Sequence, residues 1–367
     1  MMHQKIKILY TIPNFDSAGS GKVVYDMVKF IDKDRFEPHI ACFHNQGSLF
    51  KKVKELGVPI HIFPFAISYR PFLSFPIRIL KLIVFFKKHN FDLIHSWHWS
   101  SDFSEPLAAK LSRTSYVYTK KAMSWGNKAW KLRSKLSTKV IYINKDMGTD
   151  FFHNMKNKAV YIPLGVDITY FNPQIKVDEP VEYQGITTKD FIIVSVANLV
   201  PVKGIEVLLE SIQEFNNLNI KVFIVGHNDS EYGDYLKSTF KENNIYFVGK
   251  QLDVRPYLAK ADLFVIPTKN EGRKEGMPIA PMEAMAMGKI VVGSNISGIK
   301  DILNPFPECL FEPNSVDSLM ERIQYIMQFS REAKLELQKR MKKEIESNYT
   351  LDQFVTNQQE VYFKMMK

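Results

Sequence analysis

The stretch NEGRKEGMPIAPMEAMAMGKIVVGSNISGIKDIL, residues 270–303, comes just after the apolar run ADLFVIPT, residues 261–268. The run reads as a buried strand ending at Pro267. A Gly-containing polar loop follows, then a helix whose first turn carries Pro278 and Pro281, tolerated where amides are not needed for helix bonds. Gly288 stops that helix, and the β-branched residues Ile290, Val291 and Val292 open the next strand, 290–293. Strand, loop, helix, strand is the repeating unit of a parallel sheet covered by helices. The loop Glu275-Gly276-Met277-Pro278 therefore enters a helix N-terminus, where free amides and a partial positive charge suit a phosphate. Gly276 lets a ligand approach the backbone closely. Glu283 lies deeper in the helix, and its carboxylate can accept two hydroxyls at once, as a ribose diol presents them.

Outward from this stretch the same alternation fills the chain. Strands are expected at residues 5–12, 39–43, 60–63, 93–96, 115–119, 140–143 and near Val160, then at 191–197, 220–225, 245–248, 263–267, 290–293 and near Leu310. The fold class is α/β, with two doubly wound, Rossmann-like domains. We place the N-terminal domain at residues 1–165, a linker without periodicity at 166–188 and the C-terminal domain at 189–345. A last helix, 346–367, is expected to return to the first domain. Ligands of such sheets bind beyond the carboxyl ends of the strands, so a cleft between two of them is the expected site.

The 367 residues and 45% hydrophobic content suit two domains with cores, and 24% charge excludes disorder. Two cysteines, Cys42 and Cys309, encode neither a disulfide framework nor a zinc cluster. The apolar run 82–86 is bounded by Lys81, Lys87 and Lys88, far short of a membrane span; the hydrophobic and basic segment 70–88 around it is suited to lying in a membrane interface, with most of its apolar face expected to pack on the sheet. The N-terminus reads as a strand and turn rather than a signal peptide, so a cytoplasmic location is expected. The net charge of +10 resides in residues 110–158, which hold twelve Lys and Arg against Asp146 and Asp150. This is either a solvated Lys-rich face or a surface for an acidic partner, with Trp125 and Trp130 as candidate interfacial anchors.

Glu275 and Glu283 are separated by seven residues, with GMP after the first and EAMAMG around the second. This resembles the E-x7-E motif of the retaining GT-B glycosyltransferases of family 4 (glycosyl transferases group 1). Further landmarks are PVKG at 201–204, VG at 225–226, FVG at 247–249 with DV at 253–254, and IPLGVD at 162–167. The resemblance implies that Lys203 neutralises the leaving diphosphate. It places Glu275 at the transferred sugar, Gly276, Met277 and Pro278 at the distal phosphate and sugar, and Glu283 at the ribose. Asn198 stands where the family carries an arginine, so one expected cation is missing; Arg273, Lys274 or Lys22 are the candidate replacements.

In the first half SAGSGKVVYDM, residues 17–27, stands where a Gly-Gly-x-Glu loop is usual. Gly19 matches the second glycine and Gly21 takes the Glu position; the loop is either a diphosphate cradle or a plain turn. DLIHSWHWSSDF, residues 92–103, stands where the family carries a histidine near the sugar. His95 falls within the strand pattern, His98 lies in the loop and is our choice, and Trp97 occupies one common place for the residue. Asp32-Lys33-Asp34 reads as a polar turn, and no metal cluster is expected.

The resemblance implies a retaining, metal-independent hexosyltransferase with no cofactor and no nucleic-acid partner. Its donor is a nucleotide-diphosphate sugar, a UDP-sugar by expectation. The acceptor is expected to be a lipid-linked or surface-polysaccharide glycan at the cytoplasmic membrane face, with the enzyme peripheral on an anionic membrane surface. Two rivals are a GT-B sugar-nucleotide epimerase and a catalytically impaired sugar-nucleotide-binding protein.

Overall fold

The computed structural model describes residues 4–16, 19–99, 102–215, 219–272 and 275–366. Contacts divide the chain into two units, Met1–Pro163 with Asp352–Lys367, and Leu164–Leu351.

In the first unit the order is β1 (Ile6–Thr11), α1 (Gly19–Phe30), β2 (Phe36–Cys42), α2 (Phe50–Lys54), β3 (Ile60–Ile62), α3 (Phe75–His89), β4 (Leu93–Ser96), α4 (Ser104–Ser112), β5 (Ser115–Lys120), α5 (Lys128–Leu136), β6 (Lys139–Tyr142), α6 (Lys145–Phe152) and β7 (Ala159–Tyr161). The strands form a seven-stranded sheet in the order β3-β2-β1-β4-β5-β6-β7, and every pairing is parallel.

In the second unit the order is β8 (Phe191–Val196), α7 (Ile205–Phe215), β9 (Ile220–Val225), α8 (Glu231–Thr239), β10 (Ile245–Gly249), α9 (Arg255–Lys260), β11 (Leu263–Ile266), α10 (Ala280–Ala286), β12 (Ile290–Ser294), α11 (Ile299–Leu303), β13 (Leu310–Phe311), α12 (Val316–Met327) and α13 (Arg331–Asn348). Its six-stranded sheet, β10-β9-β8-β11-β12-β13, is likewise parallel. Strands covered by helices on both faces must be apolar along their whole length. Leu263, Phe264, Val265, Val291 and Val292 are accordingly buried without exception.

Each sheet reverses its strand order once, between β1 and β4 and between β8 and β11. At such a switch point the loops leaving the two strands diverge to opposite faces and open a crevice. The candidate site residues lie on those loops.

Residues 166–188, expected as a linker, group with the second unit. Tyr183 is buried there, stacked on Phe223 at 4.4 Å, and its hydroxyl donates to the Tyr257 carbonyl at 3.2 Å. The final helix α14 (Leu351–Met366) packs within the first unit from Asp352 onward. Phe36 stacks on Phe363 at 4.8 Å, with the Arg35 guanidinium 3.8 Å from the same ring. Tyr362 on this helix is fully buried, and its hydroxyl lies 2.6 Å from Nδ1 of His95. His95 Nε2 is 2.9 Å from the Thr119 hydroxyl, so both ring nitrogens are partnered. Burial lowers this imidazole to about 3, and it packs as a neutral core residue.

Candidate active site

In the second unit the site grows from the loops after β8 and β11. A short 3₁₀ turn, Pro201–Lys203, ends at Gly204 with φ 63°. A Cβ at Gly204 would lie 2.2 Å from the Pro267 carbonyl, so glycine is required both by the backbone and by the β11 loop pressed against it. This close approach brings Lys203 to Glu275, and the two side chains form an ion pair. Both remain partly solvent-exposed, 20% and 25%. The Glu275 loop is braced from behind by Gly298, φ 81°, whose absent Cβ leaves room for the Gly276 carbonyl 2.1 Å from that position. Gly276, Met277 and Pro278 are buried, and the Met277 sulfur accepts from the Leu164 amide at 3.3 Å. Gly298 was not anticipated from the sequence; its signal is the Ser-Gly turn after β12.

Two details differ from the sequence reading. The helix α10 starts at Ala280, so Pro278 precedes it, and Glu283 lies in its first turn rather than deeper. The cause is Pro281, which has no amide to donate; the Glu283 amide donates to the Ile279 carbonyl at 3.0 Å near the start of the helix. Glu283 is buried. Asn198, at the position of the missing arginine, is exposed. Arg273 and Lys274 lie outside the described residues, and Lys22 is paired with Asp26 at 2.8 Å in the first unit.

In the first unit Gly19 opens α1, and a Cβ there would meet nothing within 4 Å. A Cβ at Gly21, by contrast, would press on the Leu49 and Phe15 side chains at 3.3 and 3.4 Å, a structural reason for glycine at that position. Ser17 and Ala18 lie outside the described residues. Lys121, just past β5, donates to Ser20 Oγ at 2.8 Å and to the Trp97 carbonyl at 2.5 Å, tying the α1 start to the loop after β4. His98 lies on that loop, edge-on to Phe43 and Phe65 at 5.7 and 5.5 Å. Its Nδ1 is buried without a hydrogen-bond partner among the described residues, as is the Trp97 indole nitrogen. Burial first, then Arg133 and Lys121, lower His98 to about 3, so the ring is neutral near pH 7 and offers one donor and one acceptor.

Beneath the loop is a buried network that the sequence concealed. Glu105 receives hydrogen bonds from Thr11, from Ser96 at 2.7 Å and from Tyr116 at 2.8 Å. Arg133 meets the same carboxylate at 3.3 Å, reaches Ser96 at 2.7 Å and Tyr116 at 2.8 Å, and donates to the His98 carbonyl at 3.2 Å. Both charged side chains are fully buried.

Two of the twelve cations in the basic stretch 110–158 are not on the surface, whereas Lys110, Arg113, Lys135 and Lys158 line one cavity. Arg133 and Lys120 are buried. The Lys120 ammonium lies 4.2, 4.5 and 5.1 Å from the Trp130, Phe151 and Trp125 rings, and burial lowers it to about 7. The two tryptophans expected as interfacial anchors instead enclose a lysine: Trp130 is 7% exposed, and Trp125 stacks edge-on against Phe151 and Phe152. The ammonium also donates to the Ser124 carbonyl at 2.5 Å, and the ring faces supply further attraction for the buried cation.

The model of the glycosyl transferases group 1 family matches residues 178–347, and that of glycosyltransferase family 4 matches residues 17–170. The chain is 26% identical to the capsular polysaccharide biosynthesis glycosyltransferase CapH of Staphylococcus aureus, covering 84% of this chain and 86% of the relative. It is 24% identical to the UDP-Gal:alpha-D-GlcNAc-diphosphoundecaprenol alpha-1,3-galactosyltransferase of Escherichia coli, covering 88% of each. The crystal structure of a glycosyltransferase from Rickettsia africae superposes with a TM-score of 0.87 at 20% identity, covering 100% of both chains.

Proposed function

Since the chain belongs to the group 1, family 4 glycosyltransferases of GT-B fold, we propose that it transfers a hexose from a UDP-sugar, with retention of configuration, to a lipid-linked glycan. The observation that carries this reading is the Lys203–Glu275 ion pair beside the buried turn Gly276-Met277-Pro278, at the carboxyl end of β11. Donor binding exchanges that pair: Lys203 turns to the diphosphate and Glu275 to a hydroxyl of the sugar. Partly exposed ion pairs are worth little, on the order of 1 kcal/mol or less, so the exchange costs little.

As the bond from the anomeric carbon to the phosphate oxygen breaks, its electron pair stays on the phosphate. Lys203 and the backbone of Gly276 and Met277 stabilise the growing negative charge, the largest single contribution in such sites. In this reading no resident metal carries the charge. The acceptor hydroxyl attacks the same face of the oxocarbenium-like sugar, and its proton passes to the departing phosphate oxygen. Retention follows without a covalent enzyme intermediate. Neutral His98, with Nδ1 unpartnered among the described residues, is proposed to hydrogen-bond the transferred sugar, and Gly19, at whose Cβ position no described atom lies within 4 Å, is proposed to admit the substrate at the start of α1.

The acceptor is proposed from the Escherichia coli relative, whose own acceptor is named as a diphosphoundecaprenol glycan. No helix among the described residues is long and apolar enough to cross a membrane; we propose a peripheral enzyme on its cytoplasmic face.

Glu283 tests the donor half of this proposal. Glu283→Ala is expected to weaken UDP binding by roughly 1 to 3 kcal/mol through loss of charged hydrogen bonds to the ribose. Titration calorimetry measures it, and unchanged UDP affinity would remove Glu283 from the site.

A further inference from the structure

Helix α3 is apolar on both faces. Ile79, Leu82 and Phe86 enter the core of the first unit. On the other face Ile77, Leu80 and Val84 are 68%, 54% and 61% exposed, and Leu73, in the 3₁₀ turn Phe72–Ser74 leading into the helix, is 97% exposed. The steps of four, three and four residues place these side chains in one stripe along the helix. Phe72 extends it at the leading end, 67% exposed. A soluble helix ordinarily turns charge to water on this side, and a helix apolar all round is normally buried against something.

The segment that carries the stripe is charged with one sign only. Residues 70–88, RPFLSFPIRILKLIVFFKK, contain no acid, and Lys81, Lys87 and Lys88 are exposed. Arg78 serves the scaffold instead: it donates to the Ser68 carbonyl at 2.6 Å and the Pro71 carbonyl at 2.8 Å, fixing the turn that presents Phe72 and Leu73. A second copy docked on the same stripe would bring like charges together across a two-fold contact. An anionic bilayer complements both features, since its headgroups attract the lysines and its acyl boundary receives the apolar side chains.

We propose that the outer stripe of α3, with its lead-in turn, is the surface by which this protein lies on an anionic lipid bilayer. The apolar anchoring expected of Trp125 and Trp130, which enclose Lys120, passes to this stripe. The proposal rests on the reading of a lipid-linked acceptor, which places the substrate at the same surface.

The test is co-sedimentation with phosphatidylcholine vesicles, with and without phosphatidylglycerol, across a salt series. Wild type is compared with Leu73→Asn/Ile77→Asn/Leu80→Asn/Val84→Asn and with Lys81→Glu/Lys87→Glu/Lys88→Glu. All seven positions are exposed, so both variants should fold; Leu73→Asp alone serves as the minimal version. The apolar variant is expected to lose about 100-fold or more in partitioning at every salt concentration. The charge variant is expected to lose roughly 10- to 100-fold on phosphatidylglycerol at low salt and little at high salt. Binding of the apolar variant equal to wild type overturns the proposal. So does absence of wild-type binding to either vesicle, or a wild-type dimer that the apolar variant converts to monomer with vesicle binding unchanged.

Consumption of a nucleotide sugar in free solution is measured alongside and should be the same in all variants. Loss of vesicle binding in wild type with donor turnover intact defeats the membrane surface alone. Stripe-dependent binding without any donor turnover defeats the transferase reading alone.

Discussion

Lys203→Ala should lower turnover by on the order of 100-fold or more at saturating donor, with the fold intact. The lysine emerges from a turn locked by Gly204, and its ammonium meets the Glu275 carboxylate. Removing it affects the fold little, since its side chain is on the surface side of the loop and the pair is partly exposed. The effect belongs to the transition state: negative charge accumulates on the leaving diphosphate, and a preorganised cation there acts more strongly than on the bound donor. Turnover should therefore fall more than donor affinity, and Lys203→Arg should restore part of it. Normal turnover of Lys203→Ala would make the ion pair structural only. The compensating charge would then have to come from Arg273 or Lys274, since Lys22 is engaged with Asp26.

The second large effect is on stability. Arg133→Met should destabilise the first unit by roughly 3 to 5 kcal/mol, because it leaves the Glu105 carboxylate buried without its cation. Burial already raises the Glu105 acid, with Arg133, Thr11, Ser96 and Tyr116 opposing, so losing the guanidinium favours the protonated form. The double variant Arg133→Met/Glu105→Leu should recover most of the loss, since an apolar replacement of a whole buried pair is often neutral. Urea unfolding of the three proteins measures this. A loss below about 1 kcal/mol in the single variant would show that water or another cation reaches Glu105. The same arginine holds the His98 carbonyl, so the loop is anchored to a fully buried charge pair.

All the expected strands are present, and 93–96 and 220–225 have the expected bounds, because a parallel sheet buried on both faces writes its strands as continuous apolar runs. The strand β2 begins three residues earlier than expected, at Phe36. It takes in Pro38, although proline cannot donate to a ladder. The pairing of β2 with β3 begins only at Ile40, so on that side Pro38 has no bond to make. The loops bearing Lys203 and Glu275 were legible because glycines and prolines punctuate them. The Glu105–Arg133 network was not: a buried arginine and an exposed one are the same letter, and only the register of β1, β4 and β5 brings Thr11, Ser96 and Tyr116 around one carboxylate. Lys120 was hidden in the same way, counted with surface charge although three rings enclose it. The stripe of α3 was legible in part: residues 70–88 read as hydrophobic and basic, suited to an interface, but which of their apolar side chains face outward is settled only by the packing of Ile79, Leu82 and Phe86 into the core.

The central claim, a retaining transferase acting on a nucleotide-diphosphate sugar, is tested most directly by incubating the protein with a panel of nucleotide sugars without acceptor and following each by proton NMR. The account predicts slow consumption of a UDP-sugar, release of UDP, and a free sugar of unchanged identity whose first-formed anomer matches the donor. Release of an inverted anomer, conversion to an epimeric sugar, or no consumption of any donor would contradict it.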